Sequence, residues 1–289
     1  MKKITNSIAS VLLFGLLAGC GGNGNGDRGT GTGDGLKWET IEVHKVYTHP
    51  DLAPILKDSI ADYSFKADLK LTFLSDSTGT HGSLADSLNT FLKHRFFSAQ
   101  LDSGLTPTEA IDKFVALRLD EHKEDIERAK EMGYTPELLG NFVSEISISD
   151  TIAYNTNDII SILTYTDEYT GGAHGLETAQ AITFDLANET LLTPSMLFKK
   201  NSEDQINDLI LQKLMAQNDA VAPEELEEMG YFNYAEAKVT RNFLLDDKGI
   251  TFIFNPYEIA AYFVGTVKIT LTYAEISDLI HDDYAFLTK

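Results

Sequence analysis

Two alternating apolar runs, from Ile159 and from Ala179, bracket Tyr169-Thr170-Gly171-Gly172-Ala173-His174-Gly175 and mark the centre of the chain. In the first run, Ile160, Ile162, Thr164 and Thr166 alternate with Ile159, Ser161, Leu163 and Tyr165. Both sets are rich in large apolar or β-branched residues, which predicts a strand covered on both faces. In the second run, Ala179, Ala181, Thr183 and Asp185 alternate with Gln180, Ile182, Phe184 and Leu186. The tandem Gly171-Gly172 supplies the positive φ of a tight hairpin. Beside Tyr169 and His174, its bare N–H groups also offer a small polar contact site on a rigid scaffold.

The flanking pattern predicts strands over Lys37–Tyr47 and Tyr63–Leu74, then a helix from Leu84 to Phe97. Thr106-Pro107-Thr108-Glu109 reads as a capping box with proline at the first helical position. The helix it opens buries Ala110, Ile111, Phe114, Val115 and Leu117, and the charge density from Asp120 to Glu131 predicts a solvated far end. Asn141–Tyr154 pairs with Ile159–Thr170 around the turn-forming Asn155 to Asp158. Further on, Ser202 caps a helix through Met215, Asp247-Lys248-Gly249 turns a hairpin, Val267–Leu271 is a last strand, and Thr272 to Glu275 caps a terminal helix. Paired strands with grouped helices give an α+β fold: mostly antiparallel sheets with helices packed on one side, in two intimately joined subdomains, 37–176 and 177–289.

The chain opens on Lys2 and Lys3, the apolar run Ile8–Leu17, and Leu17-Ala18-Gly19-Cys20. This has the layout of a secretory signal and resembles the lipobox of bacterial lipoproteins. By that resemblance residues 1–19 are removed and Cys20 becomes a lipid-bearing N-terminus, anchored stably once it carries more than one acyl chain. Residues 20–36, glycine-rich beyond Cys20, form a flexible tether. Processing removes two lysines and moves the formal charge of the 289-residue chain from −21 to −23, which disfavours nucleic acid and anionic lipid surfaces as partners. Cys20 is the single cysteine, so no intramolecular disulfide is available, and stability rests on burial by a sequence that is 43% apolar.

The seven histidines form no H-E-x-x-H motif or i, i+4 pair, so no metal or other cofactor is expected. Neither a serine-nucleophile, Walker nor dinucleotide fingerprint occurs, and the 44 carboxylates single out no acid–base pair. No catalytic residue is assigned. Asn255-Pro256-Tyr257-Glu258 is a second candidate contact site, or a strand end whose proline leaves the ladder while Tyr257 covers the core edge.

Tyr169 to His174, Asp185, Leu191 to Phe198, Asn242-Phe243 and Asn255 to Ala260 with Gly265 together resemble an extracytoplasmic domain of unknown function. That domain occurs in RsiV-type anti-sigma factors, which sense lysozyme, and beside the catalytic domain of PdaC-type peptidoglycan deacetylases. The resemblance implies a partner domain over 37–176 and the RsiV-type domain over 177–289. Neither an RsiV-type sigma-binding segment with its transmembrane helix nor a metal-dependent deacetylase domain is read in this sequence, so anti-sigma and deacetylase activity are not expected. What it implies is an envelope lipoprotein, facing the periplasm or the outer surface, that binds or senses a lysozyme-like cationic protein or peptidoglycan. The candidate contacts are Tyr169, Gly171, Gly172, His174, Asn255, Tyr257 and Glu258. The alternative is a cell-wall glycan-modifying enzyme or its accessory subunit.

Overall fold

The computed structural model describes residues 36–56, 63–75, 82–97, 104–135, 138, 142–156 and 158–288. Residues 1–35, which hold the expected signal sequence, Cys20 and all but the last residue of the expected tether, lie outside the described residues. β1 (Trp38–Tyr47), β2 (Phe65–Leu74), β3 (Ser144–Asn155), β4 (Ile159–Tyr169), β5 (Leu176–Asp185) and β6 (Thr190–Leu191) form one six-stranded sheet in chain order. A three-stranded antiparallel sheet follows, from β7 (Phe243–Leu245), β8 (Gly249–Phe254) and β9 (Val267–Thr272).

The expected α+β architecture with mostly antiparallel pairing is present, and it contains one parallel pair, β2–β3. The chain leaves β2 through the helical pair α2 (Gly82–Phe97) and α3 (Pro107–Glu131), and re-enters the sheet at β3 in the same direction. (α1 is the single turn Ala53–Leu56.) Asp150 closes the end of this parallel pair by accepting from Thr72 N–H at 2.9 and 3.1 Å.

Strand alternation sends the two faces of the sheet to different cores. Ala67, Leu69, Leu71, Phe73, Ile146, Ile148, Ile162 and Phe184 pack with Leu88, Leu92 and Ile111 of α2 and α3. From the opposite face Leu163, Ala179 and Ala181 meet Leu244 and Ile253 of the small sheet. The first six residues of β4 are all buried, as expected of a strand covered on both faces. The small sheet carries its own core on its other side, where Phe243, Ile250, Phe252 and Ile269 pack with Ile206, Ile210 and Leu214 of α5 (Glu203–Gln217). Each such buried aliphatic side chain contributes about 1.5–3 kcal/mol.

Polar side chains join the two sheets. Asn242 Oδ1 accepts from Ala181 N–H (2.7 Å), and its Nδ2 donates to Ala179 O (2.9 Å) and Ile253 O (3.1 Å). Asn255 Oδ1 accepts from Ala179 N–H at 2.7 Å. Ser161 Oγ accepts from Leu245 N–H at 3.0 Å, and Thr183 Oγ1 donates to Phe243 O at 3.2 Å. The boundary placed at Glu177 falls inside the β4–β5 pair, where Asp167 faces Glu177. The two cores therefore divide across the faces of this hairpin rather than at one point in the sequence.

Local expectations are met at some helix ends and changed at others. Thr106 makes its full capping box, with Glu109 N–H donating to Thr106 Oγ1 and Thr106 N–H to Glu109 Oε2. The far end of α3 is solvated on one side only, because His122, Ile126 and Ala129 are buried, the latter two against Leu52 and Leu56. Ser202 does not cap α5: its hydroxyl turns back to Lys199 O at 2.6 Å. The terminal helix shrinks to one turn, Tyr273–Ile276, followed by 3-10 segments, although its Thr272–Glu275 capping box forms. Lys213 beside Glu275, with Thr272 donating to it, holds that carboxyl down at about 2.

Candidate functional site

The hairpin between β4 and β5 is wider than a two-residue turn, since pairing stops at Glu168↔Leu176. Gly171 and Gly172 both adopt positive φ, 92° and 94°, as their sequence predicts. Tyr169 Oη donates to Gly172 O at 3.0 Å and closes the loop on itself. His174 Nδ1 donates to Gly175 O at 2.9 Å, which orients the ring and leaves its other edge outward.

The second predicted segment is a tight turn after β8. Glu258 Oε2 accepts from Asn255 N–H (2.9 Å), Glu258 N–H donates to Asn255 O (3.1 Å), and Tyr257 N–H donates to Ala260 O (3.0 Å). Asn233 braces it from outside, its N–H donating to Ile259 O (3.1 Å) and its Nδ2 to Glu258 O (3.2 Å). Asn255 and Glu258 thus spend their side-chain oxygens on backbone, and Tyr257 is what the turn presents. Its φ is 71°, a conformation that costs a bulky L-residue about 1–3 kcal/mol, and its side chain is 54% exposed.

The two loops meet through a residue that the sequence did not single out. His174 stacks on Tyr262 with ring centroids 3.9 Å apart and planes 19° apart, and Tyr257 lies 5.9 Å from the same ring at 28°. Phe263 follows, 78% exposed, its ring lying over Gly230, where an added Cβ would come within 2.5 Å of Cζ. Ala261 N–H donates to Gly230 O at 2.8 Å, which brings the loop that carries exposed Met229 and the 57% exposed Phe232 beside residues 261–263. The result is an exposed aromatic surface from three loops, 169–175, 229–233 and 257–263. Glu227, Glu228 and the Glu258 residue are exposed along its course.

Other polar groupings are occupied by structural partners. Ser64 Oγ lies 3.0 Å from His122 Nε2, but Ser64 is fully buried and also accepts from His49 N–H at 2.9 Å. Burial, aided by His49, pushes His122 down to about 4, and the complete burial of Ser64 closes its hydroxyl to a substrate. Among the described residues His49, Asp51 and Glu127 have metal-ligand composition. Lys130 Nζ pairs with both carboxylates there, and His49 Nδ1 accepts from Asp51 N–H at 3.4 Å, so an ammonium already stands where a cation would sit.

Residues 195–274 match the model of the family described as "Protein of unknown function (DUF3298)". A curated relative, the peptidoglycan-N-acetylmuramic acid deacetylase PdaC of Bacillus subtilis (strain 168), is 20% identical over 143 residues. That stretch covers 49% of this chain and only 30% of the relative's length. Two crystal structures share the fold. A DUF3298 member from Bacteroides fragilis has a TM-score of 0.76 at 23% identity, over 89% of this chain and 99% of that one. A DUF3298 protein from Pseudomonas aeruginosa PAO1 has a TM-score of 0.58 at 12% identity, over 88% and 98%.

Proposed function

We propose, from the match of residues 195–274 to the DUF3298 family model, that the protein is a non-catalytic, lipid-anchored envelope module that binds a cationic, lysozyme-like protein through the His174–Tyr262–Tyr257 surface. The observation that carries this reading is the aromatic strip itself. Contiguous exposed apolar surface rimmed by polar groups is characteristic of protein-binding sites, and aromatic side chains dominate the energetics of such sites. A backbone strained to present Tyr257 outward fits a contact residue better than a covering one. The strongly acidic sequence and the exposed Glu227, Glu228 and Glu258 favour a basic partner and speed its encounter. Similarity over part of a peptidoglycan deacetylase supports a cell-wall setting, and the Cys20 lipobox supports an anchor there.

The test is calorimetric titration of the full chain with lysozyme and, separately, with purified peptidoglycan fragments, beside a His174→Ala, Tyr257→Ala double variant. Saturable lysozyme binding is expected, weakened at least tenfold in the variant and slower to associate as salt shortens the Debye length below about 8 Å. Glycan binding without lysozyme binding would transfer the surface to a wall-binding role. Glycan turnover would refute the non-catalytic reading.

A further inference from the structure

A cleft of about 1260 Å³ opens where α4 (Pro194–Leu197) turns into α5, between the loop before β7 and the C-terminal segment. It shares no residue with the aromatic strip. In a chain with almost twice as many acidic as basic residues, Lys199, Lys200, Arg241 and His281 line this one opening from three segments remote in sequence. Lys199 is committed to the wall, donating to Asp278 O at 2.9 Å with Asp282 Oδ1 at 3.8 Å. Lys200 and Arg241 are exposed and have no ion pair or hydrogen bond among the described residues. Glu203, Asp204 and Asp282 lie along the same cleft, so it offers both signs of charge.

Each feature limits the ligand. The volume exceeds the roughly 300–1,000 Å³ that encloses a small molecule, so a lone inorganic ion leaves it largely empty. A neutral glycan leaves Arg241 and Lys200 unmatched, and a simple polyanion is repelled by Glu203 and Asp282. A short chain bearing both charges matches both signs of the lining. We propose that this cleft binds a short peptide with free carboxylate and free amine groups, the carboxylate held by Arg241 and Lys200 and the amine by Glu203 and Asp282. Arg241 supplies the planar fork that a carboxylate accepts in bidentate fashion, and Lys200 adds a point charge.

The experiment is calorimetric titration of the full chain in detergent with the tripeptide Ala-Glu-Lys, its termini free. Acetyl-Ala-Gln-Gln-amide and inorganic phosphate serve as comparison probes. Arg241→Gln and Lys200→Gln, both at exposed positions and checked by circular dichroism, should each weaken tripeptide binding about tenfold, the effect of losing a charge-assisted hydrogen bond. The blocked peptide should bind at least tenfold more weakly than the free one. His174→Ala, Tyr257→Ala should leave the tripeptide affinity unchanged, which separates this site from the aromatic strip whichever fails. The proposal is overturned if the free peptide does not saturate at millimolar concentration, if the blocked peptide binds equally well, if phosphate displaces the peptide at equal concentration, or if neither glutamine substitution changes the affinity.

Discussion

Asn242→Ala tests whether the two sheets are held together as the geometry indicates. The side chain makes three hydrogen bonds, accepting from Ala181 N–H and donating to Ala179 O and Ile253 O. All three partner residues are buried: Ala179 and Ile253 are 0% exposed and Ala181 is 2%, so water cannot take over without opening the interface. At about 1 kcal/mol per bond, with a further penalty for buried groups left unmade, the loss sums to about 3–5 kcal/mol. That is a large share of the roughly 5–15 kcal/mol by which a folded domain is stable. With urea m-values of about 1–3 kcal/mol/M, the midpoint should fall by about 1 M or more. Trp38 is the single tryptophan and sits on β1, so its fluorescence reports the large sheet while far-UV circular dichroism reports both. Coincident transitions in the parent should separate in the variant, with the dichroism loss moving first. Asn255→Ala, which gives up the bond from Ala179 N–H, should cost about 1–2 kcal/mol. A change below about 1 kcal/mol for Asn242→Ala would mean that solvent already reaches these groups, and the argument from burial would fail.

Four further outcomes follow from the structure and the sequence. Tyr257→Gly should raise stability by about 0.5–1 kcal/mol, because glycine adopts a φ of 71° without strain, while lowering affinity for lysozyme; thermal melts and calorimetry on one sample check both. Burial pushes Asp150 up to about 6 from its ordinary 3.8, so the folded chain holds that proton more tightly than the unfolded one. Its contribution is fully present below about pH 4, is lost as pH rises through about 6, and amounts to about 1–3 kcal/mol after allowing for partial exposure. Asp150→Asn keeps an acceptor for Thr72 N–H and should flatten that slope in pH-dependent urea titrations, raising stability at pH 7. Cys20→Ser should release the protein from membrane fractions and abolish labelling by a palmitate analogue. Unfolding should be insensitive to chelator, because Lys130 already pairs with both carboxylates of the one grouping of metal-ligand composition among the described residues; a large fall in melting temperature with EDTA would contradict this.

Strand periodicity makes much of the fold legible in the sequence. The double-sided pattern of β4 stated that two layers meet there, and the Thr106 and Thr272 capping boxes appear where the residues place them. Ser202 misled because an N-cap residue type reports only an ability to accept, and the neighbouring Lys199 carbonyl took its hydroxyl instead. The buried end of α3 was hidden for a related reason: charged residues surround Ile126 and Ala129 so densely that the apolar stripe toward Leu52 and Leu56 does not stand out. At the candidate site, His174 and Tyr257 were readable as unusual loop residues. Tyr262 was not, since Ala260 to Val264 reads as ordinary apolar loop, and its role depends on two segments about 90 positions apart arriving at one ring.

The β4–β5 hairpin also bears on how this fold can be dissected. The stretch recognised by the family description, 195–274, contains β7, β8 and β9 but none of the surface against which Leu244 and Ile253 pack. Expressed as an excised fragment it would carry an uncovered apolar wall, and Asn242 and Asn255 would have lost the strand whose amides and carbonyl they meet. The region recognised by sequence is therefore smaller than the smallest unit expected to be soluble, and a workable expression boundary must start upstream of β4. Fusing 195–274 to another protein should yield aggregation or proteolysis; adding only Ile159–Asp185 supplies the missing wall but bares Ile160, Ile162 and Phe184, which pack against α2 and α3, so the graft must bring those helices as well.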